Sequence, residues 1–301
     1  MATLDSVATL DSVMTSAEVL KTRQREKIAM AIRYVLLTIV GIVMIYPLVW
    51  LFGAAFKTNA EIFTEIGFLP SSFNFDSFVQ GWKTSTEYTF ATFFMNSFGM
   101  VIPRIIATVI SAVVVGYAFA RFNFWGKKFF FSILIGSLML PKVVLLVPSY
   151  LMFQKFGWLD TYLPMIVPAG FGIEVFFTFM LIQFLRGIPQ DMEEAAQIDG
   201  CNSLQVLWYI LIPLLKPAII SVVVFQFIWS MNDFMQPLIY IASVSKYPIS
   251  LALRMTVSAT EMVEWSQVIA MSVVALLPSM IVFFSAQRYF VQGIASTGVK
   301  G

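Results

Sequence analysis

Long apolar runs separated by short polar segments constrain this chain more than any other feature. Six runs are long enough to cross a bilayer, which takes about 20 predominantly apolar residues. Backbone groups in lipid must be paired within their own segment, so runs this long and apolar predict helices. The predicted spans are 34–56, 93–120, 129–153, 162–184, 214–231 and 265–286.

The composition fits the same class. Hydrophobic residues make up 59% of the chain and charged residues 12%, whereas soluble domains are nearer a quarter charged. We therefore predict an all-α, polytopic membrane protein with six transmembrane helices. Its parts are a cytoplasmic N-terminal tail (1–33), a transmembrane domain (34–288) and a cytoplasmic C-terminal tail (289–301).

The N-terminal tail has two distinct parts. Residues 2–7 and 8–13 are the same hexapeptide, ATLDSV, which we interpret as a duplicated start or an expression scar and exclude from fold reasoning. Residues 16–30 are polar and basic. Two interpretations remain open for them: a helix that lies on the inner membrane face, or a solvated tail held near anionic lipid.

The residue types that the chain lacks exclude several kinds of chemistry. It has no histidine and one cysteine, Cys201, which excludes histidine-based nucleophilic catalysis, HExxH zinc sites and an intrachain disulfide. No GxxxxGK[ST] phosphate-binding loop is present. We predict no catalytic residue, no metal site and no cofactor in this chain, so a transporter with this sequence must borrow ATP hydrolysis from a partner or use an ion gradient. A net charge of +2 gives no indication of nucleic-acid binding.

Positive charges are unevenly divided between the two sides of the predicted spans. With the N-terminus inside, twelve Lys and Arg residues lie in cytoplasmic segments and five in outer segments. The positive-inside rule then predicts that both termini are cytoplasmic. The same topology places residues 188–217, between the fourth and fifth spans, in the cytoplasm.

Residues 188–217 form a polar, helix-favouring island between two apolar runs. Acidic residues crowd its start, where negative charge meets the positive pole of a helix macrodipole. Gly200 is placed to adopt the left-handed conformation that ends a helix, and Asn202 with Gln205 predicts a capping box. The sequence therefore predicts a helix over 190–199, a glycine turn and a second helix, all outside the bilayer.

The spacing within this island is specific. The letters E-A-A at 194–196 are followed by Gly200 and then, after nine intervening residues, by I-x-I-P at 210–213. This pattern resembles the EAA loop of binding-protein-dependent ABC importer permeases, a coupling helix that docks in a cleft of the cytoplasmic ATPase. In that reading Glu193 and Glu194 pair with basic residues of the cleft, and the two alanines permit close approach. The resemblance implies coupling roles for Glu193, Glu194, Ala195, Ala196, Asp199, Gly200, Ile210 and Pro213.

Other segments extend the resemblance over nearly the whole chain. GYAFARF at 116–122, NDF and PLI within 232–239, and GIASTGVKG at 293–301 are similar to segments of the same family. Together they resemble its carbohydrate-importer branch, on the side of the maltose importer's second permease, and within it the permeases for alginate oligosaccharides. The implied cargo is an oligosaccharide, including an acidic one such as alginate. The implied setting is the bacterial inner membrane, with a second, different permease, two ABC ATPases, an external solute-binding protein and lipid as partners.

Three charged residues lie inside apolar spans, where one charge costs about 2.5–3.5 kcal/mol on insertion scales. Two of them are cations, Arg104 and Lys142, which could line a route for an anionic sugar. Alternatively, they form interhelical ion pairs or extend their charged ends to the membrane surface. The role of the third, Glu174, stays open. An outer segment after the fifth span either enters the outer vestibule or closes the outer face as a re-entrant hairpin. The predicted substrate-pathway residues are Arg104, Lys142, Asn232, Asp233 and Gln236.

Two further functional classes remain open. A stand-alone, gradient-driven transporter or channel would also carry ionisable residues at mid-membrane, although such proteins often show internal repeats, which we do not find here. A scaffold subunit without a transport pathway is the other alternative. Neither gives the acidic island at 188–217 a role.

Overall fold

The computed structural model describes residues 16–65, 67–83, 87–258 and 263–297, and every regular element among them is helical. The duplicated hexapeptide at 2–13 and the end of the closing motif at 298–301 lie outside the described residues. The chain forms two compact units, residues 1–73 and residues 74–301.

The first unit contains α1 (Ser16–Ala54) and α2 (Asn59–Thr64). The basic segment 16–30, for which a helix on the inner membrane face or a solvated tail was predicted, is helical and forms the beginning of α1. It contains neither glycine nor proline, so nothing interrupts the helix before the apolar run begins. A capping box between Thr58 and Glu61 starts α2.

The second unit is built around α4 (Phe90–Arg121), which packs most extensively against α8 (Val175–Gly187) and also contacts α12 (Lys216–Met231). The other helices are α3 (Asp76–Trp82), α5 (Lys127–Leu138), α6 (Leu146–Lys155), α7 (Leu163–Ile166), α9 (Asp191–Ile198), α10 (Ser203–Gln205), α11 (Ile212–Leu214), α13 (Met235–Tyr240), α14 (Ile249–Ser258) and α15 (Trp265–Thr297).

The predicted spans correspond to four single segments and two bent pairs of helices among the described residues. The single segments are Gln24–Ala54, Phe90–Arg121, Leu163–Gly187, which contains a 3-10 turn, and Trp265–Arg288. The bent pairs are Lys127–Leu138 with Lys142–Lys155, at 102°, and Ser203–Leu214 with Lys216–Met231, at 75°. The total is six if each bent pair crosses as one span, so the count of six stays a prediction.

Breaks in two spans bring charged residues to the middle of the apolar region. Pro141 precedes a 3-10 turn, Lys142–Leu145, that separates α5 from α6. In the fourth span a second 3-10 turn, Pro168–Phe171, separates α7 from α8, and Glu174 stands directly before α8. Proline cannot donate a backbone hydrogen bond and disfavours helix continuation. The two spans therefore break close to Lys142 and Glu174.

A glycine permits the close approach of α4 to α8. A Cβ atom at Gly116 would lie 3.4 Å from the Cβ of Leu181 and 3.7 Å from the nitrogen of Ile182. The position accepts at most a small side chain, because larger ones force displacement in a packed interior. The same contact region holds buried Phe177 and Leu185.

The predicted outer loop after α12 is ordered by side chains from neighbouring loops and helices. Asp160, between α6 and α7, accepts hydrogen bonds from Ser243 N at 2.8 Å and Lys246 Nζ at 2.7 Å. Asn96 on α4 donates to the carbonyl oxygens of Ser245 and Tyr247, at 2.8 and 3.0 Å. This clasp fastens the loop to the outer parts of the second unit.

The clasp predicts a pH-dependent contribution to stability. The hydrogen bond from Lys246, followed by those from Ser243, holds the pKa of Asp160 well below its ordinary value. A carboxyl whose folded-state pKa is lowered stabilises the fold above its unfolded pKa, about 3.9, and loses that contribution as the pH falls further. We expect Asp160→Asn to lower the melting temperature at pH 7, and the difference from wild type to shrink in acid.

Thermal unfolding of the purified protein in detergent, measured from neutral to acidic pH, checks this. Asp76→Asn is the matched control, because it removes an exposed carboxylate from α3. A difference between Asp160→Asn and wild type that stays constant with pH would contradict the assignment.

Candidate functional site

The polar island folds as the predicted helix–turn–helix. The helix expected over 190–199 is α9, Asp191–Ile198, so the prediction is confirmed to within one residue at each end. Gly200 has φ +88°. Its N–H donates to Gln197 O at 3.0 Å, and Cys201 N–H donates to Ala196 O at 2.9 Å. This pair of bonds is the Schellman arrangement, which satisfies the last carbonyls of a helix.

The second arm of the loop begins at the predicted capping box. Asn202 N donates to Gln205 Oε1 at 2.8 Å, and Gln205 N donates to Asn202 Oδ1 at 2.9 Å. The chain continues through a wide π-type turn, Val206–Leu211, to α11, whose first turn contains Pro213. Ile210 packs against the hydrophobic core, so the second arm is anchored in the protein.

Side chains at the inner end of α4 hold both arms of the loop. Arg121 forms an ion pair through Nε with Glu193 of α9, and its Nη2 donates to Ile188 O at 2.9 Å. Tyr117 donates its hydroxyl to Ser203 O at 3.2 Å. Both members of the ion pair have side chains 7% exposed, and breaking such a buried pair costs about 3–5 kcal/mol.

The burial of two loop residues differs from what the sequence predicted. Glu193 was expected to face a partner, but it is buried against Arg121 and therefore fastens α9 to α4. Ala196 was expected to permit close approach of a partner, but it is buried in the chain's own core. Glu194 and Ala195 are exposed as predicted, and so is Asp199.

The exposed face of α9, which we define as Asp191, Met192, Glu194, Ala195 and Ile198, combines acidic and apolar side chains. Ile198 is 87% exposed. Nearby apolar side chains on the second arm are also exposed: Leu204, Trp208 and Tyr209. Apolar side chains grouped on a polar loop are typical of a protein-binding surface.

A second cluster of charges brings together Arg104, Lys142 and Glu174, each from the middle of an apolar segment, and we call it the mid-membrane cluster. Arg104 of α4 pairs with Glu174 at 2.8 Å and with Asp233 at 3.2 Å, and also donates to Gln236 Oε1 at 3.2 Å. Lys142 pairs with the other oxygen of Glu174 at 3.1 Å. The interhelical ion pair, one of the two interpretations left open, is therefore present. Two cations face two carboxylates, so the charges of this mid-membrane cluster cancel.

Two overlapping cavities adjoin the mid-membrane cluster, with volumes of about 300 and 420 Å³. Arg104, Lys142 and Gln236 line both of them, whereas Asp233 lines the smaller. Asn232, the remaining predicted pathway residue, lies apart, because it lines a third cavity and its side chain donates to Ile228 O at 2.8 Å. No group of three or more potential metal ligands occurs among the described residues.

Sequence reasoning missed two sets of residues. Arg121 and Tyr117 were noted only as members of the motif at 116–122, although a basic residue at the inner end of a span, opposite an acidic loop, was an available signal. Gln226, which lines the smaller cavity, was not singled out, although a glutamine inside an uncharged span was an available signal.

The comparisons with known proteins agree with this geometry. Residues 112–296 match the family described as "Binding-protein-dependent transport system inner membrane component". The probable ABC transporter permease protein YurM of Bacillus subtilis is 33% identical over 93% of this chain and 92% of its own length. The arabinooligosaccharides transport system permease protein AraQ of Halalkalibacterium halodurans is 31% identical over 87% of this chain and 93% of its own.

A solved structure shows the same fold. A chain of a bacterial ABC transporter involved in the import of the acidic polysaccharide alginate superposes with a TM-score of 0.76. It is 23% identical, and the match covers 88% of this chain and 98% of that one. With the family match over residues 112–296 and two relatives above 30% identity, this chain belongs to the binding-protein-dependent transport system inner membrane components, the permeases of ABC transporters.

Proposed function

We propose that this chain is one permease subunit of an ATP-driven importer of oligosaccharides, and that α9 is its contact with the ATPase. The observation that carries the proposal is a short acidic helix that is exposed on one face and fastened to the end of the long helix α4 on the other. Membership of a binding-protein-dependent family argues against a stand-alone gradient-driven transporter.

The cargo is inferred from relatives. Permeases similar to this chain over most of its length are named for arabinooligosaccharides, diacetylchitobiose and galactooligosaccharides. The structural neighbour is described as importing alginate, and a second structure of such a transporter holds a periplasmic protein bound to alginate pentasaccharide. An oligosaccharide is the cargo class that these names share.

The exposed face of α9 suits docking into a groove on the ATPase. Glu194 and Asp191 present negative charge, and Ile198 supplies an apolar anchor of the kind that helix-in-groove contacts use. The base of the helix does not need to change on docking, because the Schellman turn, the capping box and the Arg121–Glu193 pair already fix it. A preorganised helix loses little entropy on binding.

The ion pair also gives the route by which ATPase motion enters the membrane. A displacement of α9 pulls on Arg121, and Arg121 is the last residue of α4. Because α4 packs against α8 and α12, the displacement reaches the helices that surround the mid-membrane cluster. Chemistry stays in the partner, which binds ATP and Mg and hydrolyses ATP, while this chain transmits motion and supplies no catalytic residue.

The proposed assembly contains this chain, a second and different permease, two ABC ATPases and an external solute-binding protein. It lies in the bacterial inner membrane with both termini of this chain in the cytoplasm. The side of the membrane follows from the distribution of Lys and Arg, and it places α9 where an ATPase can reach it.

Reversal of one exposed charge on α9 tests the docking. We expect Glu194→Arg to reduce co-purification of the ATPase and to abolish most of the ATP hydrolysis stimulated by sugar-loaded binding protein, because the surface loses its charge complementarity. Glu26→Arg, which reverses an exposed carboxylate on α1, is the matched control and should behave like wild type.

Two outcomes of this experiment count against different claims. If Glu194→Arg hydrolyses ATP like wild type, α9 is not the docking element. If the wild-type complex responds to no binding protein loaded with any oligosaccharide, the import function itself is wrong.

The turn after α9 gives a second prediction. At φ +88° a β-branched residue is strained by more than 1 kcal/mol, whereas asparagine tolerates this conformation. No atom lies within 4 Å of a Cβ atom built at Gly200, so the effect is one of backbone conformation. We expect Gly200→Val to insert normally yet uncouple ATP hydrolysis from uptake, and Gly200→Asn to retain most coupling.

Uptake and ATP hydrolysis measured side by side in proteoliposomes provide the readout. Normal uptake per ATP in Gly200→Val would show that the direction of the turn does not matter for coupling.

A further inference from the structure

Three cations meet where α5 begins and α8 ends. Lys127 and Lys128 occupy the first turn of α5, and Arg186 lies in the last turn of α8. The guanidinium carbon of Arg186 lies 5.0 Å from the centroid of the Phe131 ring on α5. Phe131 follows the two lysines by four and three positions, and residues at that spacing are neighbours on one face of a helix. We call Lys127, Lys128 and Arg186 the basic patch.

The basic patch is held in place by its surroundings. Buried Phe119 of α4 packs against Phe131 and against Phe124 in the loop before α5, with ring centroids 6.0 and 5.5 Å apart. Lys127 Nζ donates to Phe122 O at 2.7 Å, and an ammonium group has two further donors. Because the ring under Arg186 and the Lys127 ammonium are already fixed, these parts of the patch lose little entropy when a ligand binds.

No carboxylate neutralises the basic patch within the described part of the chain. None of its three cations forms an ion pair there, whereas Arg104 and Arg121 each do. Lys128 and Arg186 are exposed. Neighbouring positive charges repel one another, and an anion placed among them replaces that repulsion with attraction. The patch therefore favours an anionic ligand.

Exposed apolar side chains adjoin the basic patch. Trp125, in the loop directly before α5, is 93% exposed, and Phe129 and Ile133 on α5 are 65% and 52% exposed. Together α5 and α6 are long and apolar enough to cross a membrane as one bent span. Tryptophan and basic residues concentrate where such spans leave the bilayer. The patch thus lies at the level of the lipid headgroups, and the apolar surface of α5 continues from it toward the acyl chains.

We propose that the basic patch binds the headgroup of an anionic phospholipid. The phosphate lies among the three cations, whose charge-assisted hydrogen bonds suit phosphate oxygens, and an acyl chain lies along Phe129 and Ile133. Basic pockets between transmembrane helices are known to take anionic headgroups. A lipid bound in this way bridges α5 and α8. The proposal requires only that these two helices lie in the bilayer, so it is independent of the proposed oligosaccharide import.

Titration of short-chain phosphatidylglycerol onto the purified importer in detergent tests the site, with bound lipid counted by native mass spectrometry. We expect Lys128→Gln and Arg186→Gln each to weaken binding by about five-fold, the factor that one cation near the surface adds to attraction by an anionic membrane. Lys27→Gln removes an exposed cation from the basic part of α1 and is the matched control. It should bind the lipid like wild type.

Arg186→Lys keeps the positive charge and should retain most of the affinity, which covers the case in which Arg186→Gln fails to assemble. Unchanged affinity in Lys128→Gln and Arg186→Gln would overturn the proposal, and so would a loss in Lys27→Gln equal to theirs. Wild-type binding that does not distinguish phosphatidylglycerol from uncharged phosphatidylcholine would also overturn it. If Lys128→Gln weakens co-purification of the ATPase and leaves lipid affinity unchanged, the patch is a protein contact and the proposal is wrong.

Discussion

A charge inside an apolar protein segment must be paired, and in this chain one helix carries the two arginines that do most of the pairing. Arg121 at the inner end of α4 holds the loop 188–217 through Glu193, and Arg104 in its middle holds Glu174 and Asp233. The two arginines are 17 positions apart in the sequence, which is roughly 26 Å along a helix. A single helix thus connects the proposed ATPase contact with the mid-membrane cluster.

The broken helices complete this arrangement. If the third span were a continuous helix, Lys142 would lie within it and away from the cluster. If the fourth span were continuous, the same would hold for Glu174. Proline-marked turns at Pro141 and Pro168 instead place these side chains where Arg104 can reach the carboxylate. Irregular backbone at membrane depth is found where it lines a cavity or is buried in protein, and here it borders both mid-membrane cavities.

The sequence predicted secondary structure better than it predicted which charged side chains pair with each other across the fold. Hydropathy located the apolar segments, and the acidic start, Gly200 and the Asn202–Gln205 pair defined the coupling loop, because these signals act over one or two helical turns. Glu193 was placed on the right helix but on the wrong face, since its partner Arg121 is 72 residues away in the chain. The partners of Glu174 were open for the same reason. Of the two interpretations left open for segment 16–30, the helical one agrees with the structure, and the sequence did not show that this helix continues into the first span.

The central claim is that the ion pair between α4 and α9 carries motion from the ATPase into the membrane. A charge exchange tests it most directly: coupling, as uptake per ATP hydrolysed, is measured for Arg121→Glu, for Glu193→Arg and for the double variant. The account predicts that each single reversal abolishes most coupling, because like charges then face each other in a buried site, and that the double variant recovers a substantial part. Full coupling in either single variant, or a double variant no better than the worse single one, would contradict it.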